Sequence, residues 1–213
     1  MITINNPDFN IRKIAESGQC FRLNPNQTGG YTLVALGRVL RISETDEGYI
    51  LDCTPSEFDA LWRNYFDLGT DYAAIRAQVD PEDAFLRRAC DYGAGIRMLR
   101  QDPWEMLVSF IISQRKNIPA IKYCIEAICS RYGEPIESEG ERFYAFPSAE
   151  RLAALDEAHF LACSLGYRAK YVLSAARMIA TGTLDLSAIA AMNDEALYAA
   201  LLTVSGVGEK VAN

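Results

Sequence analysis

Leu202-Thr-Val-Ser-Gly-Val-Gly-Glu-Lys-Val-Ala-Asn213 closes the chain, and its reading decides the fold. Asp194 to Leu202 has the pattern of a short helix with Asn193 as its N-cap, and it runs into a Gly206-x-Gly208 turn. Two glycines one residue apart let the backbone turn sharply and bring its N–H groups close to a phosphate. Lys210 follows two residues later, and an unprotonated lysine amine is a nucleophile. Asn213 falls in the first turn of what the pattern predicts to be a further helix.

Working back from this turn, the helical pattern reaches to about residue 80. Asp102-Pro103-Trp104-Glu105 combines a capping carboxylate, proline in the first turn and glutamate three residues after the cap. Trp104, Leu107, Val108, Ile111 and Ile112 then form one apolar stripe. A second helix is predicted from about Pro119 to Tyr132, ending at Gly133 with Pro135 beyond. Ser148 and Asp156 read as further N-caps, and Gly182 ends the helix carrying Tyr171 to Ala180. The first third reads differently. Tyr31–Leu36, Arg38–Ile42 and Tyr49–Cys53 are strand-like runs bounded by glycine turns, with Phe21–Leu23 pairing to one of them. Phe58, Leu61, Trp62 and Tyr65 mark the return to helical spacing. The expectation is an α+β chain. A small antiparallel β-sheet domain with a flanking helix occupies residues 1–80, and an all-helical domain ending in a helix-hairpin-helix occupies 81–213.

Composition narrows the chemistry. Half of the 213 residues are hydrophobic, enough for a substantial core, and no apolar run approaches the roughly 18 residues that span a bilayer. The N-terminus lacks the basic and apolar regions of a signal peptide, so the default expectation is a cytoplasmic protein with no membrane partner. The 6 cysteines include no C-x-x-C pair and read as free, mostly buried thiols. His159 is the only histidine, which removes serine–histidine triads and histidine-rich zinc sites; it reads as a helix-surface residue. A net charge of −7 argues mildly against nucleic acid. Local distribution overrides the total, because Arg97, Arg100, Arg115, Lys116, Lys122, Arg168, Lys170 and Arg177 gather in the middle and later parts of the chain.

Four segments taken together resemble the 8-oxoguanine DNA glycosylase family of the helix-hairpin-helix superfamily. They are Ser17-Gly-Gln-Cys-Phe-Arg22, Asp102-Pro-Trp-Glu-Met-Leu-Val-Ser-Phe-Ile-Ile-Ser-Gln-Arg-Lys-Asn-Ile-Pro119, Leu165-Gly-Tyr-Arg-Ala-Lys-Tyr171 and Val204-Ser-Gly-Val-Gly-Glu-Lys-Val-Ala212. The resemblance covers essentially the whole chain. It implies a DNA repair enzyme that flips an oxidised guanine out of double-stranded DNA and cuts its N-glycosidic bond. It further implies a monomer without cofactor or metal, working at the bacterial nucleoid or in a eukaryotic nucleus.

The resemblance also assigns roles. Lys210 matches the lysine whose amine attacks the sugar C1′, expels the base and leaves a Schiff base, from which β-elimination cuts the strand. Burial and positive surroundings are expected around such an amine. Gly206, Val207 and Gly208 would hold a DNA phosphate with their amides, although Ser205 stands where the family commonly has proline. Gly18 matches the glycine whose carbonyl accepts the N7 hydrogen of 8-oxoguanine, and a side chain there would fill the pocket. Gln19 and Phe21 go with it as substrate-binding neighbours, Phe21 reading more naturally as core beneath the loop. Tyr167 and Arg168 match the pair that wedges into the stack and reads the orphaned cytosine. The Ser113–Asn117 loop departs from the family pattern: Arg115 stands where asparagine is typical, and Ala120 where an arginine is. Arg115 and Asn117 are expected to contact DNA, Arg115 taking over both missing jobs.

The family's aspartate beyond the hairpin has no counterpart before Asn213, so the resemblance implies a C-terminally truncated glycosylase with little activity of its own. Two rival readings remain. One is a monofunctional alkylated-base glycosylase, which Lys210 argues against. The other is a non-catalytic DNA-binding fragment in which the hairpin only grips phosphate.

Overall fold

The structure, a computed structural model, describes residues Met1–Ala212; the stop at Asn213 lies outside the described residues. The chain forms two compact units. The first comprises Met1–Val34 with Val39–Gln101, and the second comprises Ala35–Arg38 with Asp102 onward. The boundary expected at residue 80 falls inside the first unit.

The first unit is built on β1 (Ile2–Ile4), α1 (Ile11–Glu16), β2 (Leu23–Pro25), β3 (Tyr31–Ala35), β4 (Arg38–Thr45) and β5 (Gly48–Leu51). Its sheet has the order β1-β5-β4-β3-β2, with antiparallel pairing of β1 to β5, β2 to β3 and β4 to β5. Strand β1 was not expected, because three residues offer too short an alternation to stand out. It adds Ile2 opposite Leu51 and Ile4 opposite Tyr49. A helical stretch follows as α2 (Pro55–Glu57), a π-helical turn (Phe58–Trp62) and α3 (Arg63–Tyr65). Thr54 caps its start by accepting from the Glu57 N–H.

Trp62, Tyr65 and Phe66 are all buried on the inner side of this stretch. Phe9 meets the Phe66 and Tyr49 rings edge-on at 5.3 and 5.2 Å, and Tyr65 meets Phe66 at 5.2 Å. Edge-to-face aromatic pairs of this kind add to the stabilisation from buried area. Then come α4 (Tyr72–Arg76), capped by Asp71, and α5 (Ala84–Gly93), capped by Asp83; α5 has no buried residue.

The stretch after α5 is anchored in the first unit by Arg97, which is 1% exposed. Its Nε donates to the Phe66 carbonyl (2.9 Å), Nη1 to the Asp8 carbonyl (3.0 Å), and Nη2 to the carbonyls of Asp67 and Thr70. The guanidinium also lies 4.3 Å over the Tyr72 ring. This is the physical reason that the unit extends beyond residue 80: a buried charge holds two segments, the chain at Asp8 and the turn over residues 66–70, by their main chains. Burial alone would raise the neighbouring Asp67 carboxyl. Hydrogen bonds from Arg100, Thr70 and Tyr72 outweigh it and leave the group below the usual carboxylate value.

The second unit contains α6 (Pro103–Ser113), α7 (Ile118–Tyr132), β6 (Pro135–Ser138), β7 (Glu141–Tyr144), α8 (Ala149–Ala153), α9 (Glu157–Leu161), a 3-10 turn (Gly166–Arg168) and α10 (Ala169–Ala180). It ends with α11 (Leu186–Ala190), α12 (Asp194–Leu202) and α13 (Glu209–Ala212). The unit is largely helical, not all-helical: β6 and β7 form a hairpin, turned at Glu139 and Gly140, which both have positive φ. Asp102, Ser148 and Asn193 cap their helices as read from sequence. Asp156 does not cap with its side chain, which bonds Nδ1 of His159 at 2.7 Å instead. The α6 stripe is buried from Leu107 onward, whereas Trp104 stays partly exposed with its indole N–H on the Pro147 carbonyl. Helix α6 packs on α7 and α10, and α8 and α9 pack on α10. The cysteines are free thiols, five of them buried and Cys90 half-buried.

Replacing Arg97 with methionine would remove the guanidinium donors from the Phe66, Asp8, Asp67 and Thr70 carbonyls. We expect it to lower unfolding free energy by about 3 to 5 kcal/mol in urea titrations. Asp67, depressed in the folded state, contributes stability that is present above the unfolded value of about 3.9 and is lost as pH falls through the folded value. Thermal melting of Asp67→Asn should therefore lose less stability below about pH 4 than the parent does; equal acid sensitivity would contradict this assignment.

Candidate functional site

The hairpin after α12 is shaped by Gly206. Its φ of 87° lies in the left-handed region, and a Cβ there would stand 2.6 Å from the Tyr171 ring. Glycine is thus required twice over, by conformation and by the seat of the turn on α10. Val207 points inward, 7% exposed, and its N–H donates to the Val204 carbonyl at 2.9 Å. That bond corrects one expectation: the Val207 amide is occupied within the turn. Gly208 has nothing within 4 Å of a Cβ.

Lys210 is exposed on α13. The burial expected around its amine is not found among the described residues. The physical reason is visible in the surrounding elements: α12 and α13 have no buried residue. Val207 and Val211 border an open apolar groove of about 330 Å³, lined also by Met106, Phe110, Leu197 and Leu201.

Two other segments of the second unit meet the hairpin through Gln114, the C-cap of α6. Its Nε2 donates to the Gly206 carbonyl at 2.6 Å and to the Ile111 carbonyl at 3.1 Å. Its own carbonyl accepts Nε (3.0 Å) and Nη2 of Arg168. Arg168 is 6% exposed, and its Nη1 donates to the Leu165 carbonyl. The guanidinium lies 4.3 Å from the Tyr167 ring, which is 49% exposed. So the Tyr167-Arg168 pair splits its work. The ring faces solvent while the cation underlies it.

Arg115 follows Gln114 with φ of 50° and is exposed. Lys116 turns back: its Nζ donates to the Ser164 carbonyl at 2.9 Å and lies 3.1 Å from Sγ of Cys124. Asn117 caps α7, its side chain accepting from the Ala120 N–H at 2.9 Å. Sequence reasoning quoted Gln114 without singling it out. The one available signal was its place at a helix end, where the last carbonyls lack helical partners.

Gly18, Gln19 and Phe21 belong to the first unit. Gly18 has φ of 80°, and a Cβ there would meet nothing within 4 Å. Backbone conformation therefore demands the glycine; the space beside it is open. Gln19 has its side chain engaged on the protein itself. Nε2 donates to Ser17 Oγ (3.0 Å) and to the Arg97 carbonyl (2.9 Å), and Oε1 accepts from the Leu99 N–H (2.8 Å). Phe21 is 6% exposed, in the core beneath the loop. Among the described residues no cluster of three His, Cys, Asp or Glu is gathered that could hold a metal ion.

Comparison with known proteins yields two adjoining family matches. Residues 1–107 match the model of the 8-oxoguanine DNA glycosylase N-terminal domain, and residues 108–210 match that of the HhH-GPD superfamily of base excision DNA repair proteins. The N-glycosylase/DNA lyase of Saccharomyces cerevisiae is 29% identical over 242 residues, an alignment covering 100% of this chain and 63% of that protein. The Arabidopsis thaliana N-glycosylase/DNA lyase is 27% identical, over 92% of this chain and 56% of that protein. The chain thus spans about three fifths of the length of these curated relatives. The Clostridium acetobutylicum 8-oxoguanine glycosylase/lyase, solved with double-stranded DNA containing cytosine opposite 8-oxoguanine, superposes with a TM-score of 0.93 at 37% identity. That match covers 98% of this chain and 72% of that one.

Gly18 and Gly206, both with positive φ, separate conformation from space. Gly18→Ala should cost about 1 to 2 kcal/mol from the left-handed backbone alone. Gly206→Ala should add about 1 to 3 kcal/mol of overpacking against Tyr171. Urea midpoints measured side by side test this, and equal losses at the two positions would contradict it.

Proposed function

The chain belongs to the 8-oxoguanine DNA glycosylase family, and we propose that it excises oxidised guanine from double-stranded DNA, with an associated strand-cleaving lyase step. The observation that carries this reading is the position of Lys210, exposed on the first turn of α13 and two residues past a hairpin whose shape depends on Gly206. By likeness to the Clostridium complex, the substrate is a duplex with cytosine opposite the lesion.

The Lys210 amine attacks C1′ of the lesion nucleotide, the N-glycosidic bond breaks, and the base leaves with its electron pair and takes up a proton. The nitrogen lone pair then breaks the C1′–O4′ bond, O4′ takes up a proton, and a protonated Schiff base remains. Removal of a C2′ proton then expels the 3′-phosphate by β-elimination, and water releases the lysine. Around this chemistry, the amides of Gly206 and Gly208 hold a backbone phosphate, in keeping with the engaged amide of Val207 between them. Tyr167, exposed above the Arg168 guanidinium, fills the gap left by the flipped base. Arg168 is held on the Gln114 carbonyl, so Arg115 offers the exposed guanidinium for the orphaned cytosine, with Asn117 beside the backbone. The Gly18 carbonyl reads the N7 hydrogen that distinguishes 8-oxoguanine from guanine.

Borohydride reduction tests the central step. Incubated with a duplex carrying an abasic site, whose open sugar presents an aldehyde, the chain should form a covalent adduct seen as a mass or gel shift. Lys210→Gln should abolish it. Persistence of the adduct in that variant would transfer the role to another amine, and no adduct with the parent chain would overturn the lyase reading.

A further inference from the structure

Gln114 joins three segments that lie far apart in sequence. Its side-chain nitrogen reaches Gly206, 92 residues away, and its carbonyl receives Arg168, 54 residues away. The next residue, Arg115, leaves the helix in a left-handed conformation. The hairpin, the Tyr167 turn and the Arg115 loop are therefore tied at one residue. Each tie ends on a main-chain carbonyl, of Gly206, of Ile111 or of Gln114 itself. Such ties set where backbones lie, whatever side chains those backbones carry.

We propose that Gln114 is a positioning residue that sets the hairpin amides, Tyr167 and Arg115 in the one arrangement that meets a DNA backbone. The proposal rests on the reading of the chain as a DNA glycosylase. Glutamine suits the task because two carbonyl oxygens require a group that donates twice, and its amide carries two N–H groups on one nitrogen. Glutamate would set a carboxylate against both oxygens. Methionine has similar length and bulk but donates nothing. The hairpin has independent anchors in Val204, which is 1% exposed, and in the seat of Gly206 on Tyr171. Loss of the glutamine amide should therefore displace the hairpin without unfolding the unit. A displaced donor set binds poorly even when every donor is still present.

The test compares binding of a short fluorescent DNA duplex to the parent chain, Gln114→Met and Gln114→Glu across a salt series. The logarithm of the affinity falls with that of salt by about 0.9 for each phosphate neutralised or held. Both variants should bind about tenfold more weakly at low salt, with a slope shallower by about one as the hairpin contact is lost. A residue that only supported the fold would reduce the folded fraction, lowering affinity while leaving the slope unchanged. That outcome overturns the proposal, as does unaltered affinity. Gln114→Glu carries the comparison if Gln114→Met does not fold, and failure of both to fold also overturns it. A parent chain that shows no salt-dependent binding overturns the DNA reading itself, and it does so before any variant is compared.

Discussion

A guanidinium withdrawn from water must place its N–H groups on acceptors or cost several kcal/mol, and Arg97 in the first unit and Arg168 in the second do so on main-chain carbonyls. In the first unit Arg97 collects the carbonyls of Asp8, Phe66, Asp67 and Thr70, drawing the chain before α1 and the turn after α3 onto one point. In the second, Arg168 settles on the carbonyls of Gln114 and Leu165. In both cases the acceptors are main-chain oxygens at turns and element ends, where regular hydrogen-bonding ladders stop. The charged group and the loops thus relieve the same deficit in each other.

This constraint shapes the candidate site. Because Arg168 lies inward, Tyr167 is lifted to the surface with a cation beneath its ring. Because Gln114 accepts that arginine at the end of α6, the chain breaks there and presents Arg115 outward. The same glutamine then steadies the hairpin that precedes Lys210. Tyr167 and Arg115, the exposed groups beside these ties, each adjoin a residue anchored on the main chain, Arg168 and Gln114 respectively. Exposure and rigidity, ordinarily opposed, are combined in this way.

Much of this was legible in the sequence. The capping sequence at Asp102, the helix over Asp194–Leu202 and the Gly206-x-Gly208 turn all occur as read, since each depends on contacts within a few residues. Strand β1 and the β6–β7 hairpin were not legible, because strands of three or four residues draw their stability from partners distant in sequence. The glycine at position 18 could be recognised but not its cause, which is a φ of 80° with open space beside it. Gln19 reads from the sequence as a substrate-binding neighbour of Gly18, and in the structure Ser17, Arg97 and Leu99 engage its amide. Nothing local marks which of two polar side chains the tertiary structure will use internally.

The sequence by itself determined the helix ends, the turn glycines, the order of sheet and helices, and the four segments that identify the family. Those properties follow from short-range sterics, capping and periodicity. Only the tertiary structure decided that Arg168 supports while Arg115 projects, that the Val207 amide is taken, and that Gln114 stands at the junction of three segments. An arginine carries the same donors wherever it stands. Whether they serve the protein or a ligand depends on which carbonyls folding leaves unpaired within reach.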